Sequence, residues 1–134
     1  MSAQKGLEQW HRTMQAGSHP DDLRKIIRED AVFHSPVVHS PQRGRDLVVT
    51  YLAAAGQTLG NESFAYVREL VDGDNAMLEF TTEMEGVHVN GIDLIEFDHE
   101  GMIADFKVMI RPLKAVNKVW EMMAAQLQSG ESKG

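Results

Sequence analysis

The spacing of apolar and polar positions changes twice along this chain. Leu7, Trp10 and Met14 recur at intervals of three and four, which predicts a helix over residues 3–16 stopped by Gly17. Pro20 with Asp21 and Asp22 suits the first turn of a second, shorter helix whose buried side is Leu23, Ile26 and Ile27. Residues 31–35 read as a short strand ending at Pro36, and residues 37–44 as a loop marked by Pro41 and Gly44. Leu47, Val48, Tyr51, Leu52 and Ala55 then give a third helix, over 46–59, one apolar face.

From Ser63 the period becomes two. Strands are expected over 63–71, 76–89, 92–98 and 102–111, with turns at Asp72–Asn75, Asn90-Gly91 and Asp98–Gly101. Asn90-Gly91 is the strongest hairpin signal, because both residues tolerate positive φ. After Pro112 helical spacing returns through Val116, Val119, Trp120, Met123 and Leu127, to about Gln128. Residues 129–134 form a polar tail, so residues 1–128 are expected to make a single domain. Four antiparallel strands with helices gathered on one face are the α+β layer solution. One-sided burial accounts for the outward set Glu79, Glu83, Glu96, Lys107 and Arg111.

Charge and composition narrow the function. A formal net charge of −7 with no basic cluster disfavours nucleic acid and anionic membrane surfaces as partners. The absence of cysteine removes disulfides, zinc–thiolate sites and thiol nucleophiles. No apolar run approaches the length of a membrane span, and the first ten residues lack the apolar core of a secretion signal. The expected location is cytoplasmic, with no cofactor and no metal site, since His34 and His39 lack a third ligand at telling spacing and His11, His19, His88 and His99 are scattered.

Alternation puts Asp93 on the same strand face as Ile95 and Phe97. Such an acid is either a pocket carboxyl, whose burial raises its pKa and suits it to donate a proton or hydrogen bond, or a cap at a strand end. His34 and His39 flank Ser35-Pro36-Val37-Val38 and are candidates for a general base, or else histidines satisfied by backbone groups. Neighbouring strand residues point to opposite faces, so His34 cannot activate Ser35. Trp10, Tyr51, Phe80, Phe97, Phe106 and Trp120 read as core, of which some would line a cavity. The eight methionines, Met14, Met84, Met122 and Met123 among them, would let it adapt its shape.

Three stretches carry a family resemblance: Trp10 to Gly17, the A-V-F-H-S-P strand leading to G-R-D and a helix (31–47), and I-D-x-x-x-F-D-x-x-G-x-I (92–103). Their order and spacing, over about residues 5–127, resemble the nuclear-transport-factor-2-like superfamily, with its SnoaL-like polyketide cyclases and ketosteroid isomerases. The resemblance implies a cone in which a curved sheet wraps a helix around a pocket for a small apolar organic ligand. It also implies a homodimer paired through the outer sheet face. Asp93 matches the position of the isomerases' oxyanion-binding aspartic acid, with Ser35 where they carry the base and Trp10 where they carry a tyrosine. Serine is no base at neutral pH and indole has no titratable proton, so the isomerase set is incomplete. An epoxide hydrolase of this superfamily would need an Arg and a second Asp beside Asp93, and alternation turns Asp105 and Arg111 the other way. The expected function is a small-molecule isomerase, cyclase or hydrolase, or a non-catalytic ligand-binding or protein-interaction module on the same fold. Asp93, His34 and His39 are the catalytic candidates, and Trp10, Ser35, Tyr51, Phe80, Phe97 and Phe106 the ligand contacts.

Overall fold

The computed structural model describes residues 2–132. Four helices, α1 (Ser2–Gln15), α2 (Pro20–Ile26), α3 (Arg45–Leu59) and α4 (Leu113–Ser132), accompany six strands. These are β1 (Ile27–His34), β2 (Gln42–Arg43), β3 (Ala65–Asp72), β4 (Asn75–Met84), β5 (Val87–Phe97) and β6 (Ile103–Arg111). The strands form one curved sheet in the order β2-β1-β6-β5-β4-β3. Helices cover its inner face, where Phe80, Phe97, Phe106, Leu78 and Ile95 are fully buried. Among the described residues no helix is long and apolar enough to cross a membrane.

The α+β class and the cone-like wrap hold, but the sheet is mixed rather than antiparallel. β1 runs parallel to β6, with Phe33 opposite Phe106. Parallel neighbours need a long crossover, and here everything from β2 to β5 lies between them. β1 also starts earlier than expected, at Ile27, which is already extended with φ −116 and ψ 131. Ile27 is fully buried in its strand as it would have been in a helix, so spacing alone did not separate the two. The expected loop contains β2, paired antiparallel with β1. α4 continues to Ser132, beyond the expected end near Gln128, and Lys133 and Gly134 of the expected tail lie outside the described residues.

The hairpin between β4 and β5 turns at Glu85-Gly86, with φ of 49° and 84°, and not at Asn90-Gly91. Two successive positive φ values are what a two-residue hairpin of matching twist requires. Asn90 and Gly91 sit inside β5. The Asn90 amide donates to the Phe80 carbonyl and to Glu79, both at 3.0 Å. A Cβ at Gly91 would meet Phe80 Cζ at 2.5 Å and the Met109 carbonyl oxygen at 2.8 Å. This glycine marks a close approach, where the Phe80 ring crosses the β5 backbone. At Asp98–Gly101 the turn forms as expected, with Asp98 Oδ1 accepting from the Glu100 and Met102 amides, each at 2.9 Å.

Candidate functional site

Between the sheet and helices α1, α3 and α4 lies a cavity of about 570 Å³, within the size usual for small-molecule sites. Its walls are largely aromatic: Trp10 from α1, Phe33 from β1, Tyr51 from α3, Tyr66 from β3, Phe80 from β4 and Phe106 from β6 all contribute. These rings pack in pairs. Phe33 stacks on Tyr51 at 5.4 Å and Phe64 on Phe80 at 5.3 Å, while Trp10 tilts against Phe106 at 5.0 Å. Val119, Trp120 and Met123 of α4 close another side.

One carboxyl reaches this apolar space. Asp93 follows the β5 alternation inward, lines the cavity and is 7% exposed. Burial pushes its pKa from the ordinary 3.8 up to about 7, against the opposing effect of a hydrogen bond from Tyr66. The Tyr66 hydroxyl is itself pushed well above its usual value, first by burial and then by the Asp93 charge. Its oxygen accepts the Trp10 indole N–H at 3.0 Å. Trp10, Tyr66 and Asp93, from three different elements, thus meet at the wall of one cavity, the first two joined by a hydrogen bond. Among the described lining residues only Asp93, Tyr51 and Tyr66 are ionisable, and none is cationic.

Of the expected ligand contacts, Trp10, Ser35, Tyr51, Phe80 and Phe106 line the cavity; Phe97 does not, lying beneath Gly6 of α1. Ser35 accepts from the Val37 and Val38 amides at 3.1 and 3.3 Å and so shapes the loop beside the opening. The two histidines are not brought to Asp93. His34 alternates to the other face of β1, where its Nε2 pairs with Asp105 Oδ1 at 2.9 Å. His39 is exposed in the loop before β2 and is not a lining residue. Met14 and Met123 line the cavity, whereas Met84 and Met122 pack in or against the core. Tyr66 was not singled out from the sequence. Its signal is its register opposite Phe80, an inward residue, just before the β3 bulge between Tyr66 and Arg68.

Residues 7–106 match the model of the SnoaL-like domain family. Among solved structures the chain is similar to a steroid delta-isomerase from Pseudomonas aeruginosa, with 34% identity, 98% of this chain and 95% of that chain covered, and a TM-score of 0.90. It also shares its fold with an NTF2-like protein of unknown function from Mesorhizobium loti (20% identity, 84% and 95% covered, TM-score 0.69). A putative SnoaL-like polyketide cyclase from Jannaschia sp. CCS1 shares it too (13% identity, 87% and 92% covered, TM-score 0.68). No curated protein matches the chain. With three quarters of its length under the family model and a solved relative aligned over nearly all of it, this chain belongs to the SnoaL-like domain family, on an NTF2-like fold.

Proposed function

We propose that the protein binds a small, largely apolar carbonyl compound in this cavity and promotes its enolisation, as an isomerase or cyclase does. The observation that carries this reading is a single carboxyl, Asp93, held toward its neutral form in an aromatic enclosure with Tyr66 beside it. A neutral carboxylic acid donates a hydrogen bond, and a donor placed at a carbonyl oxygen stabilises the negative charge that grows there as the adjacent carbon gives its proton to a solvent water. The absence of cations among the described lining residues suits a neutral ligand better than a carboxylate or phosphate. The delta-isomerase relative is consistent with carbonyl chemistry. The hydrolase reading lacks side-chain support, since neither an arginine nor a second carboxylate accompanies Asp93 among those residues.

The test is deuterium uptake at the carbons beside the carbonyl of a cyclic ketone, followed by NMR in D₂O. Wild type is expected to accelerate exchange by ~100-fold or more over buffer, and Asp93→Leu to abolish the gain. If the ketone binds yet is recovered without deuterium, the protein is a carrier. That second reading draws on Ser35, which occupies the matched base position but is committed to backbone amides.

The dimer is likewise a proposal. On the outer face, strand register places Leu70 beside Met77, Met77 beside Leu94, and Ile92 beside Met109. Leu70 is 55% and Met109 48% exposed, so this apolar strip lies open and suits a second copy of the same face. Met109→Glu is expected to weaken self-association by ~10-fold or more in sedimentation equilibrium. Wild type sedimenting as a monomer at tens of micromolar would sink the idea.

A further inference from the structure

We propose that Ser18 forms a second polar subsite of the cavity, binding a hydroxyl or carbonyl oxygen that the ligand carries at the end remote from Asp93. This rests on the reading that a neutral carbonyl compound occupies the cavity with its carbonyl at Asp93. Ser18 lines the cavity and is 6% exposed. Its hydroxyl donates to the Met14 sulfur at 3.2 Å, and among the described residues no donor reaches its oxygen. A thioether is a weak acceptor. A buried hydroxyl with so poor a partner gains by exchanging it for a ligand oxygen.

The local backbone holds this hydroxyl in place. α1 ends in a turn where the Gly17 amide donates to the Met14 carbonyl at 3.1 Å and the Ser18 amide to the Thr13 carbonyl at 3.0 Å. Gly17, at φ 105°, supplies the left-handed residue that such a helix end uses. Ser18 follows at φ 56°, a second left-handed residue that the helix end does not need and that strains a side chain with a Cβ. Gly56 of α3 makes the room. A Cβ there would stand 2.8 Å from both the Cβ and the Oγ of Ser18.

Other polar lining residues are less available. Asn61 donates to the Glu83 carbonyl at 2.9 Å and accepts from the Ser63 amide at 2.8 Å, Ser35 accepts from two amides, and Gln57 is exposed. Trp10, bonded to Tyr66, and Ser18 are roughly 6–10 Å apart along α1. The ligand suited to both ends is therefore a neutral ketone with a second oxygen across a rigid ring system.

The experiment compares 1-tetralone with 6-hydroxy-1-tetralone, which adds a hydroxyl at the opposite end of the same flat frame. Titration calorimetry is run on the whole protein at pH 6, where the phenol is neutral. Wild type is expected to bind the hydroxy ketone about fivefold or more tightly than the parent. In Ser18→Gly, which relieves the positive φ and so keeps the fold, the ratio should fall to within twofold of unity. Gly56→Ala should lower it too, by pushing the hydroxyl aside. A wild type that binds both ketones equally overturns the subsite and leaves the carbonyl reading standing. A ratio that survives Ser18→Gly, or is lost instead in Tyr51→Phe or Gln57→Ala, also overturns it. Binding of neither ketone sinks the carbonyl reading, and the subsite with it.

Discussion

Replacing Asp93 by Asn is expected to make the protein more stable at pH 8 and no more stable at pH 4. The Asp93 carboxyl titrates near 7 in the fold and near 3.8 when freely hydrated. Between these values the native state keeps a proton that the unfolded chain releases. Stability therefore falls as pH rises through that window, by about 1.4 kcal/mol per pH unit and about 4 kcal/mol in all. Asn keeps the shape but never ionises, so it escapes this loss. Urea unfolding of both proteins at one concentration, from pH 4 to 8, checks the divergence; a fixed concentration matters if self-association contributes. Parallel curves would mean that Asp93 is not held neutral. The same variant separates two roles. Its amide still donates a hydrogen bond to a carbonyl, so ketone binding should survive, whereas any step in which Asp93 gives up a proton should slow by ~100-fold or more.

The second large effect is expected far from the carboxyl, at Gly6→Val. In α1 a glycine is locally unfavourable by about 1 kcal/mol, so a side chain there should help if helix propensity decided the matter. Packing reverses the sign. A Cβ at Gly6 would run into the Phe97 ring, which is 2% exposed and has nowhere to go. Overpacking of this kind costs about 1–3 kcal/mol, and a branched side chain should fall at the upper end. Because Trp10 is one turn further along α1, the displaced helix should also disturb the Tyr66 contact. Thermal unfolding and the Trp10 indole peak measure the two consequences separately. A variant as stable as wild type would mean that α1 does not dock through Gly6.

What could be read from the residues, and what could not, follows from the kind of signal each left. Alternation along β5 and β6 correctly turned Asp93, Ile95 and Phe97 inward, and turned Asp105 away with His34. It also put His34 and Ser35 on opposite faces, and only Ser35 lines the cavity. A two-residue period carries that much without any knowledge of partners. The Asn90-Gly91 misreading arose because glycine serves both turns and close backbone approaches, and only the Phe80 ring lying across it distinguishes them. The mixed sheet escaped notice because parallel pairing of β1 with β6 leaves no local mark. Tyr66 was missed for a related reason. A bulge shifts the phase of β3 one residue later, so the strand's own alternation does not single it out.

The strand order has a consequence for how the molecule comes into being. β6, the last strand in sequence, stands between β1 and β5 and pairs with both. During synthesis, β1 and β2 can pair with each other but have no place in the larger sheet until residue 111 has left the ribosome. α4, which supplies Val119, Trp120 and Met123 to the enclosure, emerges later still. For most of translation the aromatic surfaces that will face the ligand are open to water and to other nascent chains. The same late strand that joins the two halves of the sheet thus concentrates the risk of aggregation before chain completion, where non-local pairing is slowest to form.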